Sequence, residues 1–423
     1  MQYINIAHPE QRVTFPEAVV TGLGRGQGLF FPERLQLLED IAGLLEMDFV
    51  SRSSAILQHL VGESMAARDL QDCVEKAFNF PLAFKPVSDR VYALELFHGP
   101  SLAFKDFGAR FMAQCLARFS RDRHVTILTA TSGDTGAAVA QAFYSQPGID
   151  VVVLYPNGKV TPLQEKLFCT LGGNIRTIAI EDDFDACQRL VKQSFDDRQL
   201  VTTLGLNSAN SINAARLLAQ VCYYFEAVAK LPPGTAPVCS VPSGNFGNVT
   251  AGLLAHAIGL PFARMIAATN RNDTVPRYLN TGVWEPRPTV ATLTNAMDIS
   301  LPNNFPRVLE LEQRHGLKMK GLLSSFAIDD AETLDAVRAL DAMGYLADPH
   351  SALAWKALDV SLEDDETGVF LCTAHPAKFR ETLETALDRP VPLPAGLERV
   401  ADKQVLSTMM PADFGQLRSF LMD

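Results

Sequence analysis

Between residues 125 and 195 the chain alternates short apolar runs with helical ones: Val125–Ala130 then 137–143, 151–155 then 163–171, Ile175–Ile180 then 184–195. That order leaves few folds open. Strands this apolar are buried on both faces, and a strand that feeds a helix before the next strand returns parallel to its predecessor. The pattern resumes with a helix over 213–229, strands over 238–241 and Arg264–Thr269, and a last strand over 369–373 that leads into a helix through 379–387. An α/β architecture with parallel sheets and crossover helices follows. Ligands of such sheets sit beyond the carboxyl ends of the strands. Three polar turns stand at such ends: Thr131-Ser132-Gly133-Asp134-Thr135-Gly136, Ser243-Gly244-Asn245-Phe246-Gly247-Asn248 and Thr373-Ala374-His375-Pro376-Ala377-Lys378.

One lysine has an unusual setting. Phe97-His98-Gly99-Pro100-Ser101-Leu102-Ala103-Phe104-Lys105-Asp106-Phe107-Gly108 puts Lys105 among apolar and small residues at a loop-to-helix junction. Desolvation disfavours the ammonium form and lowers its pKa, and a neutral amine is a nucleophile toward an aldehyde. The alternative is a lysine that snorkels out of a buried helix start. The turn from Ser243 to Asn248 follows an apolar strand and opens a helical run, so backbone N–H groups converge on a helix N-terminus, an anion site. A desolvated lysine and a phosphate cup at strand ends together point to pyridoxal 5'-phosphate.

With their flanks, Lys105 and the three strand-end turns resemble the threonine synthase family, specifically its long bacterial and fungal branch, essentially from end to end. The resemblance implies a two-lobed parallel-sheet fold like that of the tryptophan synthase β-subunit, with a mostly helical N-terminal region. It implies a carbon–oxygen lyase of threonine biosynthesis that turns O-phospho-L-homoserine and water into L-threonine and phosphate. Lys105 would be catalytic and hold the cofactor as a Schiff base. Gly244, Asn245, Phe246, Gly247 and Asn248 would cup the cofactor phosphate, and Thr373 would face its ring nitrogen. Thr131, Ser132, Asp134 and Thr135 would form the loop for the substrate carboxylate. Many relatives in the wider fold group have asparagine where Asp134 stands, in contact with the cofactor's ring oxygen. Asn210, Ser211 and Arg216 match a pattern that holds the substrate's phosphate; read alone, Arg216 is a surface arginine on a long helix. The rival readings are a hydroxyamino acid dehydratase, a phosphohomoserine lyase releasing 2-oxobutyrate, and a non-catalytic relative, which would be expected to lack the lysine.

At 423 residues the sequence divides into a mostly helical cap over 1–90, a two-lobed cofactor-binding region over 91–390 and a tail over 391–423 with turns and a short final helix. The net charge of −11 disfavours nucleic acid and anionic membranes as partners. No secretory leader and no bilayer-length apolar run is apparent, so the expected compartment is the cytoplasm. The 7 cysteines are scattered without C-x-x-C spacing and read as reduced core thiols, with no metal site expected. Monomer and homodimer both stay open. The glycines at 22, 24, 26 and 28 miss the dinucleotide fingerprint, because Gln27 stands where the third glycine belongs, and 21–32 reads as a loop. Residues 270–325, proline-rich and weakly periodic, read as irregular or as a mobile insertion.

Overall fold

The structure is a computed structural model that describes residues 1–121 and 123–423. Its strands are β1 (Tyr3–Asn5), β2 (His8–Val13), β3 (Phe30–Pro32), β4 (Ala83–Pro86), β5 (Val91–Glu95), β6 (Val125–Ala130), β7 (Ile149–Pro156), β8 (Ile175–Ile180), β9 (Leu206–Asn207), β10 (Val238–Pro242), β11 (Arg264–Thr269), β12 (Leu323–Ala327), β13 (Gly368–Cys372) and β14 (Thr408–Met410). They form two large sheets. One has the order β12-β11-β10-β13-β5-β4 and the other β14-β8-β7-β6-β9. Every pairing in them is parallel except that of the edge strand β4 with β5. The β6 sequence Val-Thr-Ile-Leu-Thr-Ala is buried at all six positions, as a strand covered by helices on both faces must be.

Strand order brings distant sequence together. β13 lies between β10 and β5, so the turn after β10, Thr373 after β13 and the Lys105 loop after β5 leave adjacent strands at one end of one sheet. The last two are laced directly: Phe104 N–H donates to the Thr373 carbonyl at 2.9 Å and His375 N–H to the Leu102 carbonyl at 3.0 Å. The Thr131 turn follows β6 in the other sheet. Helices Lys105–Phe119, Asp134–Phe143 and Ala214–Ala229 are largely buried.

Three expectations change. Residues 21–32 are not all loop: β3 pairs antiparallel with β1 in a small sheet ordered β2-β1-β3. The helical cap thus contains strands: β1 and β3 are too short to show a period, and β2 is a polar run. Within the cap a short helix, Ile41–Glu46, starts after Asp40, which caps it by accepting from Gly43 N–H at 2.8 Å. The region 270–325 contains helices Thr274–Thr281 and Phe305–Gln313. Its irregular middle is held by side chains: Asn270 Nδ2 donates to Thr292 Oγ1 and to Asp298 Oδ1, both at 2.9 Å. The tail has its final helix, Phe414–Met422, and also adds β14 to the edge of the second sheet.

Gly108 sets how closely the Lys105 helix approaches the 214–229 helix. A Cβ at Gly108 would lie 2.9 Å from the Arg216 carbonyl oxygen and 3.2 Å from its Cα, which are backbone atoms that cannot rotate away. Gly108→Ala should therefore push the two helices apart and cost about 1–3 kcal/mol of stability, measurable by urea unfolding of the holoenzyme.

Candidate active site

Lys105 is the first residue of its helix. It is half-buried, and Nζ has no hydrogen-bond or ion-pair partner among the described residues. Desolvation pushes its pKa down to about 8; Asp134 opposes that shift, while Arg216 and Lys378 reinforce it. The loop before it is tightly built. Leu102 holds a left-handed φ of 56°, and buried Asp106 accepts from Ser101 N–H at 2.9 Å while its Oδ1 has no partner. Burial raises the Asp106 carboxyl to about 6.

The charges near Lys105 come from both sheets. Asp134, after β6, forms a buried ion pair with Lys378, after β13. Lys378 also donates to the Ser101 carbonyl at 3.0 Å, and Gln164 Nε2 donates to Asp134 Oδ1 at 3.1 Å. Burial alone would raise the Asp134 carboxyl, but Lys378 and Lys105 outweigh it and hold it well below the carboxylate range. Lys378 had been read only as part of a strand-end turn; nothing local to the sequence pairs it with a residue 244 positions earlier.

The remaining site residues separate into those with groups to spare and those already engaged. Thr131 Oγ1 accepts from Gly133 and Gly136 N–H at 2.9 and 2.8 Å, so its lone pairs brace the turn and only its proton is left to donate. Ser132 and Thr135 are half-buried. Asn210 Oδ1 accepts from Thr129 Oγ1 at 2.8 Å. Ser211 Oγ accepts from Asn245 Nδ2 at 2.7 Å and Asn304 Nδ2 at 3.3 Å, which joins the 210–216 segment to the glycine turn. Arg216 is not the surface arginine that its helix position suggested. It is 3 % exposed, donates to the Ala209 carbonyl at 2.5 Å and has an unpartnered Nε. Among the described residues no carboxylate lies within ion-pair range, and burial lowers its pKa to about 10.

In the glycine turn, Phe246 takes a left-handed φ of 59° just before helix Gly247–Ala257. A Cβ on Gly244 would lie 2.6 Å from Met297 Cα, and one on Gly247 would lie 3.2 Å from Asn304 Nδ2. Asn248 Oδ1 accepts from Tyr223 and Tyr224 hydroxyls at 2.6 and 2.7 Å, while its buried Nδ2 has no partner. Thr373 N–H donates to Ser351 Oγ at 3.3 Å. A half-buried, unpartnered lysine of lowered pKa, an orphaned amide donor and a glycine-punctuated turn at a helix start are what an aldehyde carrying a phosphate requires.

These features define a pyridoxal-phosphate enzyme, and residues 80–373 match the family described as "Pyridoxal-phosphate dependent enzyme". Residues 2–78 match "Threonine synthase N terminus" and residues 351–421 match "Threonine synthase, C-terminal". The chain is 58% identical to the threonine synthase of Haemophilus influenzae over 424 residues, covering 100% of both chains. It is 56% identical to that of Escherichia coli, again over 100% of both. The crystal structure of the Escherichia coli threonine synthase superposes with a TM-score of 0.96 at 55% identity, covering 100% of this chain and 99% of that one. The PLP-bound threonine synthase of Brucella melitensis superposes at 0.92 and 32% identity, covering 100% and 98%. The chain belongs to the threonine synthase family, and pyridoxal 5'-phosphate is its cofactor.

Lys378→Met should leave Asp134 buried without its counter-charge, at a cost of about 3–5 kcal/mol near neutrality. Because the folded pKa of Asp134 is depressed, the stability from this pair is fully present above the ordinary carboxylate range and is lost as pH falls below it. Urea titrations at neutral and acid pH should show the gap between wild type and variant narrowing in acid. In cofactor-stripped protein, amine-directed labelling of Lys105 should rise with a midpoint near the lowered pKa of about 8, not near that of a free lysine.

Proposed function

We propose that the protein converts O-phospho-L-homoserine and water to L-threonine and phosphate. The observation that carries this reading is Arg216, a buried guanidinium without an acid partner, at the start of a helix capped by Asn213. A substrate with a second phosphate needs such a cation, and a dehydratase of unphosphorylated amino acids does not.

In this reading Lys105 would hold the cofactor through its amine, and the same Nζ would take and return protons along the substrate chain. When bound, the cofactor supplies the electron sink that lets the carbon next to the amine lose its proton. Gly244, Asn245, Phe246, Gly247 and Asn248 hold the cofactor phosphate, with Asn248 Nδ2 as a side-chain donor. Thr373 would offer a neutral hydroxyl to the cofactor ring. Thr131, Ser132 and Thr135 offer donors to the substrate carboxylate. Asp134 acts through Lys378, which neutralises it and keeps the turn from repelling that carboxylate. Asn210, Ser211 and Arg216 receive the substrate's phosphate. We also propose the division into 1–90, 91–390 and 391–423, a cytoplasmic location, no nucleic-acid partner, and a monomer or homodimer. The net charge of −11 supports the third of these, and no described helix is long and apolar enough to cross a membrane.

Borohydride reduction of the holoenzyme followed by peptide mapping should label Lys105, and Lys105→Ala should abolish turnover. Arg216→Ala should lower kcat/KM for phosphohomoserine by roughly thirty- to a thousandfold, or about 2–4 kcal/mol, while cofactor occupancy holds. Near-normal kinetics in that variant would place the substrate phosphate elsewhere. Product analysis separates threonine formation from release of 2-oxobutyrate.

A further inference from the structure

A buried cluster beside Thr373 is not used by this reading. Asp348 caps helix Pro349–Asp359, and its carboxylate accepts from His350 N–H at 2.9 Å, His350 Nδ1 at 2.8 Å, Ser351 N–H at 3.2 Å and the Ser351 hydroxyl. Four donors engage this carboxylate, so His350 Nδ1 carries a hydrogen, and in the neutral imidazole the lone pair then lies on Nε2. His350 is 3 % exposed, and Nε2 has no hydrogen-bond partner among the described residues. Burying such an acceptor unpaired is costly, and a donor that reached it would recover that cost.

His350 also has a fixed place at the reacting end of the sheet. Ser351 Oγ, held by Asp348, accepts from Thr373 N–H, and the Thr373 carbonyl accepts from Phe104, the residue before Lys105. The imidazole packs on Phe379 at 4.9 Å, next to Lys378. Asp134 from the other sheet and Asp298 from the 292–298 segment both lie within electrostatic reach of the ring. A hydrogen-bond chain thus runs from His350 to the Lys105 loop, with the free ring nitrogen left over.

We propose that His350 is a further residue of this site, its Nε2 accepting a hydrogen bond from the water that the reaction consumes. The inference rests on the reaction proposed above and adds what would decide its outcome. A held water is delivered to the substrate, whereas without it the unsaturated product is released and hydrolyses to 2-oxobutyrate.

The test uses the holoenzyme with phosphohomoserine and measures threonine and 2-oxobutyrate together. His350→Asn can keep a donor to Asp348 but has no group at the Nε2 position; His350→Gln reaches that position. The threonine to 2-oxobutyrate ratio should fall by about tenfold or more in the asparagine variant and recover in part with glutamine, at unchanged cofactor occupancy. A merely structural role would lower both products alike, so an unchanged ratio overturns the proposal. Should the variants fail to fold, ¹⁵N NMR of histidine-labelled wild-type holoenzyme decides: an unprotonated Nε2 supports it, and a protonated Nε2 with bare Nδ1 overturns it. Wild-type enzyme that makes no threonine would instead overturn the reaction itself.

Discussion

The buried ion pair between Asp134 and Lys378 is the interaction on which the rest of the site depends. Each partner comes from the carboxyl end of a strand in a different sheet, and neither could be buried alone without a penalty of several kcal/mol. Their pairing sets the relative position of the two sheets beside Lys105. It also accounts for how an acid can stand buried at this strand end. The carboxylate is already neutralised by its partner, so it adds no net repulsion toward an anionic ligand.

Several strained conformations and unsatisfied burials lie around that pair. Leu102 and Phe246, both non-glycine residues at positive φ, stand three residues before the lysine and inside the glycine turn. Arg216, Asp106 and His350 are buried with an unsatisfied atom each. Local strain and unsatisfied polar groups are tolerated only where surrounding packing holds them, and they cluster where ligands are handled. Here the packing includes helix contacts as close as that of Gly108 with the Arg216 backbone.

Much of the fold was legible in the sequence because buried parallel strands are continuous apolar runs. β6, β8 and β11 have the bounds that their apolar runs indicated. Helix Phe49–Val61 was equally plain, since Asp48 caps it and Gly62 ends it. β1, β3 and β14 are only three residues each and gave no period to read. The 270–325 region eluded pattern reading because Asn270, Asn272 and Asp298 organise it through side-chain hydrogen bonds, which have no periodicity.

For the site, the sequence by itself determined the residue types and the local turns: a lysine in apolar flanks, a glycine turn before a helix, and hydroxyl-bearing strand ends. Those depend on neighbours a few positions away. Only the tertiary structure decided which of these groups face one another and which are already occupied. The order β10-β13-β5 joins three turns that the sequence keeps far apart. Burial changes Arg216 from a surface charge into an unpaired internal cation, and it assigns Lys378 to Asp134 and Asp348 to His350. Pairing and desolvation arise from contacts between distant segments, so no local pattern in the chain records them.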